Sequence, residues 1–430
     1  MATDELVFSN GKPCALSLKS KADVANIFSR LNATREFIHA IPESELIAYF
    51  NELGKFYSTD KSAQAIGGAY LKSLADFMKR ENLERMLSIA LRNPCALDEF
   101  VDLGDPKLLF HAQPRGIVVH WIAGNVPLLG FYSLLQALLT KNPCVIKASS
   151  RTSTQFVKLL ESFARVSTSK VKGSELSKCI EVVVLERESA LQEALSLNAD
   201  ARIAWGGKEA ITSITSLKKQ THCEDIVFGP KYSYAVVDSA SLKKNASSIA
   251  QRLAFDVSTF DQYACSSPHT VFVEANSSPS PLEFAKLLAE KLELISRAAL
   301  PKSEAEPAKV TDILNIRAEY EFKGKVFGSK DTTWTVLYSE EEGLAEACFS
   351  RVIFVRPLKK LEAISKFNDR RKQTVGLAVE KKRRLALADN ASLRGVDRFP
   401  RLGEMTPFES PWDGMFAVDR LVRWVSAYKE

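Results

Sequence analysis

Residues 116–150 have the sequence GIVVHWIAGNVPLLGFYSLLQALLTKNPCVIKASS, and their pattern decides the fold class. A β-branched run is followed by a polar turn, by an apolar run of helical length over 128–140, and by a second β-branched run. A strand, a helix and a strand in this order join parallel neighbours, because antiparallel strands need only a short hairpin. The stretch therefore predicts an α/β fold whose parallel sheet is covered by helices on both faces.

The same stretch must be distinguished from a membrane segment. Residues 116–140 contain no Asp, Glu, Lys or Arg, and this length is about that of a spanning helix. Gly124 and Pro127 would break such a helix, however, and the Asn125 side chain would be costly in lipid. A buried strand, a turn and a buried helix explain the run better, and we predict no membrane span.

The alternation of predicted strands and helices sets the domain organisation. It continues over 106–225 and is repeated over 226–400, which indicates two α/β domains. Residues 1–105 carry apolar side chains at intervals of three and four, and we expect a helical region that packs on the first α/β domain. Residues 401–430 begin with Pro- and Gly-rich turns and end in a predicted amphipathic helix.

Charge and cysteine usage exclude several classes of protein. The net charge of +6 over 430 residues is too small and too scattered for a nucleic-acid-binding face. The seven cysteines are dispersed, with no CxxC pair and no histidine at zinc-finger spacing, so we predict no metal site. Reduced thiols and an N-terminus without a signal-peptide pattern favour the cytoplasm.

Two strand-to-helix crossings could hold a phosphate-bearing ligand. The chain has no GxGxxG motif, but it contains VIKASSRTS (145–153) and AWGGKEAI (204–211). In the second crossing, Gly206 and Gly207 would let a ligand approach the backbone at the start of a helix. The glycine pair alone is weak support, since a simple tight turn explains it equally well.

One cysteine stands out by its position. Cys265 lies in FDQYACSSPHTVFVE (260–274), between a polar turn and a predicted buried strand. A thiolate is a strong nucleophile, yet an isolated cysteine at such a place more often fills a core. His269 follows four residues later, and we expect it to be packed or solvent-facing and not to act as a base.

A resemblance to a known family favours a nucleophilic role for Cys265 over a core position. HWIAGNVPLLG, NPCVIKASS, AWGGKEAI, FGPKYSYAVVD and DQYACSSP, in this order, resemble the aldehyde dehydrogenase superfamily, and more closely the acyl-CoA reductases of bacterial luminescence operons. The resemblance covers about residues 105–430. It implies an aldehyde-dehydrogenase-like α/β fold with two Rossmann-like lobes, parallel sheets and a helical N-terminal region.

The resemblance also implies catalytic roles. Cys265 matches the catalytic thiol, which would attack a thioester and hold the acyl group covalently. Asn125 matches the asparagine that donates an amide N–H to the tetrahedral oxygen. Without the resemblance, Asn125 could equally be a turn residue.

Cofactor residues follow in the same way. Lys147 and Ser150 match the positions that bind the adenine ribose, and NAD-preferring members tend to carry a carboxylate at the latter. Ser150 and Arg151 favour a 2′-phosphate instead, which predicts NADPH, although surface charges after a strand remain an alternative. Gly206 and Gly207 would line the cofactor site, and Glu346 matches the ligand of the nicotinamide ribose.

One departure from the superfamily distinguishes reduction from oxidation. Hydrolytic aldehyde dehydrogenases have a glutamate where this chain has Val227, and valine cannot activate water. We therefore predict an NADPH-dependent acyl-CoA or acyl-thioester reductase that makes an aldehyde. The alternatives are an oxidising aldehyde dehydrogenase with another base and a catalytically silent docking subunit. The resemblance further implies a homo-oligomer that acts beside acyl-transferase and acyl-activating partners and accepts acyl-CoA or an acyl-protein thioester.

Overall fold

The computed structural model describes residues 4–122, 124, 128–300, 302 and 306–430. The chain divides into two compact units. The first combines Met1–Gly229 with Phe408–Glu430, and the second is Pro230–Pro407. Each unit is built on its own β-sheet.

The first unit contains a seven-stranded sheet and a separate strand pair. Its strands are β1 (Glu5–Ser9), β2 (Lys12–Ser17), β3 (Leu108–Pro114), β4 (Val118–Trp121), β5 (Cys144–Ala148), β6 (Ile180–Val184), β7 (Ala201–Trp205), β8 (Glu224–Phe228) and β15 (Val422–Tyr428). The sheet order is β2-β1-β6-β5-β4-β7-β8. Within this order the five neighbours β6, β5, β4, β7 and β8 run parallel, as predicted.

Helices surround this sheet and fill the N-terminal region. They are α1 (Lys21–Asn32), α2 (Arg35–His39), α3 (Glu43–Thr59), α4 (Lys61–Phe77), α5 (Arg80–Leu91), α6 (Leu129–Leu139), α7 (Ser153–Leu160), α8 (Gly173–Leu176), α9 (Leu191–Asn198), α10 (Lys208–Ser216) and α15 (Ala417–Arg420). The apolar run of residues 116–140 contributes β4 and α6, whose residues from Gly130 to Leu139 are all buried. Among the described residues, no helix combines the length and hydropathy needed to cross a bilayer.

The helical prediction for residues 1–105 is wrong at its beginning, where the chain forms β1 and β2. In β1, Leu6 and Phe8 are buried while their neighbours are partly exposed, which is the two-residue period of a strand. β1 pairs antiparallel with β6, with Leu6 opposite Val183. Five residues are too few to show a period clearly in the sequence, and the pairing partner lies far along the chain.

The predicted C-terminal helix is also wrong. Only α15 is helical, and the last residues form β15, which pairs antiparallel with β3 from Val422 opposite Pro114 to Tyr428 opposite Leu108. Val422 is buried, Val425 and Ala427 are partly exposed, and Trp424 and Tyr428 are exposed, so the apolar residues of this segment show no clear period in the sequence. The partner strand stabilises an extended conformation that local sequence leaves undecided.

The second unit has a six-stranded sheet. Its strands are β9 (Tyr232–Val237), β10 (Pro268–Glu274), β11 (Gly324–Gly328), β12 (Thr335–Ser339), β13 (Val352–Leu358) and β14 (Lys372–Ala378), in the order β11-β12-β13-β10-β9-β14. All neighbours are parallel except β11 and β12. Its helices are α11 (Ser239–Ser258), α12 (Pro281–Ala298), α13 (Pro307–Lys323) and α14 (Lys381–Ser392).

Apolar side chains cover both faces of this second sheet. Val271 and Val273 pack into a core with Leu288 of α12, whereas Phe272 belongs to a second core with Leu387 of α14. Alternate residues of β10 therefore enter different cores, as the period of a strand requires. Burial on both faces explains why Val271, Phe272 and Val273 follow one another without a polar residue between them.

Candidate active site

A cavity of about 570 Å³ opens at the carboxyl ends of β4, β5, β6 and β7 in the first unit. β5 and β7 flank β4 on opposite sides, so the strand order reverses here. Ligands of open α/β sheets bind at such a reversal. The lining residues are Trp121, Ile122, Gly124, Lys147, Ser149, Ser150, Val184, Leu185, Glu186, Arg187, Gln192, Trp205, Gly206, Gly207, Ala210, Ser213 and Ile214.

Four of the predicted cofactor residues line this cavity together. Lys147 and Ser150 come from the end of β5, and Gly206 and Gly207 come from the end of β7. Burial lowers the pKa of the Lys147 ammonium, and the Glu186 and Asp4 carboxylates oppose that shift. The cavity therefore combines a partly desolvated cation with hydroxyls and open backbone.

The glycine pair opens the cavity toward a helix terminus. Gly207 is the N-cap of α10 and makes no side-chain capping bond. A Cβ added at Gly207 would meet no atom within 4 Å, whereas one at Gly206 would lie 3.0 Å from the Ala210 Cβ. Gly207 therefore lines the cavity at the N-terminus of α10 without a side chain to cover it, and the N–H groups of a helix N-terminus favour anions.

The other two predicted cofactor residues lie elsewhere. Arg151 is exposed in the turn after Ser150 and is not among the residues that line the cavity. Glu346 is exposed in an irregular segment of the second unit, between β12 and β13. Asn125 lies outside the described residues, although its neighbour Gly124 lines the cavity.

Sequence reasoning missed the loop that follows β6. Glu186 and Arg187 line the cavity, and buried Gln192 donates its Nε2–H to both of their carbonyl oxygens at 2.8 and 2.9 Å. Gln192 Oε1 also accepts the Trp121 indole N–H at 3.0 Å. The available signal was that this loop, like the two chosen crossings, follows the carboxyl end of a parallel strand.

Cys265 lies in the second unit, in the loop that leads into β10, and its side chain is half-buried. Its carbonyl oxygen accepts the Ser233 hydroxyl at 2.7 Å, which ties the loop to β9. The residue is thus neither fully buried nor fully exposed, and it lies three positions before β10. This location suits a nucleophile better than a core position would.

Val227 is the fourth residue of β8, half-buried, and opposite Ala204 of β7. Its hydrocarbon side chain offers no proton acceptor. Among the described residues, no cluster of three or more His, Cys, Asp or Glu side chains could hold a metal ion.

His269 is buried in β10 and is not placed as a base. Its ring contacts the rings of Tyr232 and Phe349, with centroid distances of 5.2 and 4.9 Å. Burial lowers its pKa to about 4, and burial lowers the pKa of His120 to about 3. Both imidazoles are therefore neutral in the folded protein at neutral pH.

These two histidines make stability depend on pH. Below the unfolded pKa of about 6.5, the unfolded chain binds protons that the folded protein does not, so the free energy of unfolding falls as the pH drops toward 4. For His269, the fall of the pKa from 6.5 to about 4 corresponds to about 3 kcal/mol of unfolding free energy, and the lower pKa of His120 gives that residue a larger share. We expect His269→Gln to remove most of the contribution of His269 to the pH dependence of the free energy of unfolding. Urea unfolding between pH 7 and pH 4.5 measures this dependence.

The exposed His222 provides the control. His222→Gln should change the free energy of unfolding by less than about 1 kcal/mol across this pH range, because the ring is largely in solvent and its ion pair with Asp200 lies at the surface. Identical slopes for His269→Gln and the parent protein would contradict the neutral, buried assignment of His269.

Comparison with known proteins adds sequence relatives. The family model described as acyl-CoA reductase (LuxC) matches residues 52–424. The long-chain acyl-protein thioester reductase of Aliivibrio fischeri is 30% identical over 336 residues, which are 77% of this chain and 67% of the relative. The long-chain acyl-protein thioester reductase of Vibrio harveyi is 27% identical, over 96% of this chain and 89% of that protein.

Solved structures show the same fold. Aldehyde dehydrogenase 21 from Physcomitrella patens, in complex with the product succinate, has a TM-score of 0.73 and 14% identity over 99% of this chain and 98% of its own. A lactaldehyde dehydrogenase has a TM-score of 0.65 and 16% identity over 100% and 96% of the two chains. The fold is therefore aldehyde-dehydrogenase-like, as the sequence motifs implied.

Proposed function

The chain belongs to the acyl-CoA reductase (LuxC) family, and on that basis we propose that it reduces an acyl thioester to an aldehyde with NADPH, through an acyl group held on Cys265. The observation that carries this proposal is the family match over residues 52–424. It is supported by relatives named long-chain acyl-protein thioester reductases. The half-buried Cys265 in its strand-anchored loop supplies the chemistry.

In the proposed first step, the Cys265 thiolate attacks the carbonyl carbon of the thioester. A new C–S bond forms, the carbonyl oxygen becomes an oxyanion, and the Asn125 amide stabilises that charge. The bond to the departing sulfur then breaks, and CoA or a carrier thiol leaves with a proton. The acyl group is left as a thioester on Cys265.

The residue at position 227 decides whether this acyl-cysteine is hydrolysed or reduced. Val227 cannot deprotonate water, so hydrolysis to the acid is slow. NADPH, when bound, supplies the hydride that reduces the acyl carbon. The thiohemiacetal alkoxide formed in this way would lose its C–S bond, which would release the aldehyde and regenerate the Cys265 thiolate.

The cavity of the first unit fits a phosphate-bearing dinucleotide. Lys147 and the Ser150 hydroxyl would hold the adenine ribose and its 2′-phosphate. Arg151, the next residue in the chain, is exposed outside the cavity lining and would add positive charge for the 2′-phosphate. Gly206 and Gly207 would admit the pyrophosphate to the N-terminus of α10. These donors support NADPH over NADH because no carboxylate occupies position 150.

We propose further roles for a cofactor residue, for the cellular location and for partner proteins. Glu346 would be the ligand of the nicotinamide ribose, as its match to the family motif implies. The protein acts in the cytoplasm as a homo-oligomer, beside acyl-transferase and acyl-activating partners that supply the acyl group. Either CoA or a protein thiol could carry the acyl group that is transferred to Cys265.

The test is a reductase assay with acyl-CoAs of about two to sixteen carbons, each with NADPH or NADH. We expect NADPH consumption matched by equal amounts of aldehyde and free thiol, and an acyl adduct on Cys265 by mass spectrometry when NADPH is omitted. Aldehyde-dependent reduction of NADP⁺ without an acceptor thiol would instead identify an oxidising enzyme. Absence of both turnover and an NADPH-induced thermal shift would identify a silent subunit.

A further inference from the structure

Two segments of the second unit have unusual backbone geometry. Phe260, Asp261 and Gln262, just before the Cys265 loop, have φ values of 57°, 48° and 67°. Phe349–Arg351, just before β13, have φ values of 58°, 56° and 62°. Residues other than glycine rarely adopt this left-handed conformation, and three in succession persist only where surrounding contacts determine them.

A buried ion pair joins the two segments. The Arg351 Nε–H donates to Asp261 Oδ1 at 2.8 Å, and both side chains are almost fully buried. The same guanidinium donates to Ser296 Oγ at 3.0 Å and to the Leu300 carbonyl oxygen at 2.8 Å. A buried charge needs such a full set of partners, because a missing partner leaves the charge uncompensated.

The neighbouring Gln262 joins the same segments through its side chain. Its Nε2–H group donates to the Pro268 carbonyl at 2.8 Å and to the Val352 carbonyl at 2.9 Å, while its Oε1 accepts the Val352 N–H at 2.9 Å. Gln262 is fully buried. Since Gln262 and Pro268 flank the loop that carries Cys265, this side chain closes the loop at its base.

A lysine supports the second segment from outside. The Lys302 Nζ donates to the Ser350 carbonyl at 3.2 Å and to the Thr332 carbonyl at 2.9 Å. The Ser350 carbonyl oxygen, within the left-handed segment, thus has a hydrogen-bond partner. All of these contacts are hydrogen bonds or ion pairs with a preferred direction. Together they favour one backbone conformation over neighbouring ones.

We propose that Asp261, Gln262 and Arg351 form a latch that holds the Cys265 loop in the single conformation needed for acyl transfer. We class them as positioning residues, because the contacts described above join them to one another, to the base of the loop and to neighbouring backbone and side chains of the same unit. The role in acyl transfer rests on the proposed function of Cys265, whereas the conformational role does not. Attack on a bound thioester is fast only when the thiol is held in a defined geometry relative to the carbonyl carbon.

The test compares Asp261→Asn and the milder Ser296→Ala with a matched control. Glu341→Gln removes the carboxylate that pairs at 2.6 Å with buried Arg356 in β13, a contact outside the Cys265 loop. Hydrogen exchange over residues 259–268 is measured by mass spectrometry, which reports local opening. Acylation of Cys265 by an acyl-CoA is measured in a single turnover, and alkylation by iodoacetamide is measured in parallel.

We expect exchange over 259–268 to accelerate about tenfold in Asp261→Asn and about threefold in Ser296→Ala, with no change in Glu341→Gln. Acylation should slow by about tenfold in Asp261→Asn, while alkylation, which needs no fixed geometry, should change by less than about threefold. If Asp261→Asn does not fold, Ser296→Ala carries the test.

Unchanged exchange in a folded variant would overturn the latch. A parent protein whose Cys265 is never acylated would overturn the proposed function instead, and the exchange measurement would still decide the conformational role. Faster exchange with unchanged acylation would show that the contacts stabilise the loop without positioning the thiol, which also overturns the proposal.

Discussion

Cys265→Ala is expected to reduce acyl-thioester reduction by about a thousandfold or more, because loss of the attacking atom removes the covalent step altogether. The fold should survive, since the thiol is half-buried and alanine occupies less space; we expect a change of at most about 1 kcal/mol in the free energy of unfolding. The measurements are NADPH consumption with an acyl-CoA and the mass of the protein after incubation with acyl-CoA alone.

Cys348→Ala is the matched control. Cys348 is a second half-buried thiol of the same unit, and burial raises its pKa, so little thiolate forms there at neutral pH. This variant should keep both the acyl adduct and turnover. Full activity of Cys265→Ala, or loss of the adduct in Cys348→Ala alone, would reassign the nucleophile.

Gly207→Leu is expected to weaken NADPH binding by about 100-fold, which corresponds to about 2.7 kcal/mol. The Gly207 φ of −69° suits any residue, and an added Cβ meets no atom within 4 Å. The substitution therefore leaves the fold intact and extends a branched side chain toward the cavity, where a clash with ligand typically costs about 1 to 3 kcal/mol. The Gly207→Ala variant should show a smaller loss.

Binding can be followed without turnover. Trp121 and Trp205 line the cavity, so their fluorescence should change on titration with NADP⁺. Ser216→Leu places the same side chain at the exposed far end of α10 and should bind like the parent protein. Parent-like affinity in Gly207→Leu would mean that the cofactor binds outside this cavity.

The candidate site was only partly predictable from the sequence. The family resemblance implies Lys147 and Ser150, and the second strand-to-helix crossing points to Gly206 and Gly207. The parallel sheet brings all four to one cavity. Gln192 escaped notice because its role depends on hydrogen bonds to a loop and to a tryptophan of another strand. A buried amide in an amphipathic helix has no distinctive sequence pattern.

The sequence by itself determined the α/β class, the order of most strands and helices, and the family motifs around Cys265. Those features depend on local periodicity and on short stretches of contiguous residues. Tertiary structure alone decided that residues 422–428 form a strand, since β3 supplies their hydrogen bonds. It also decided that Asp261 and Arg351 meet in a buried pair. Such contacts join residues distant in the chain, and their free energy comes from partners that local sequence does not specify.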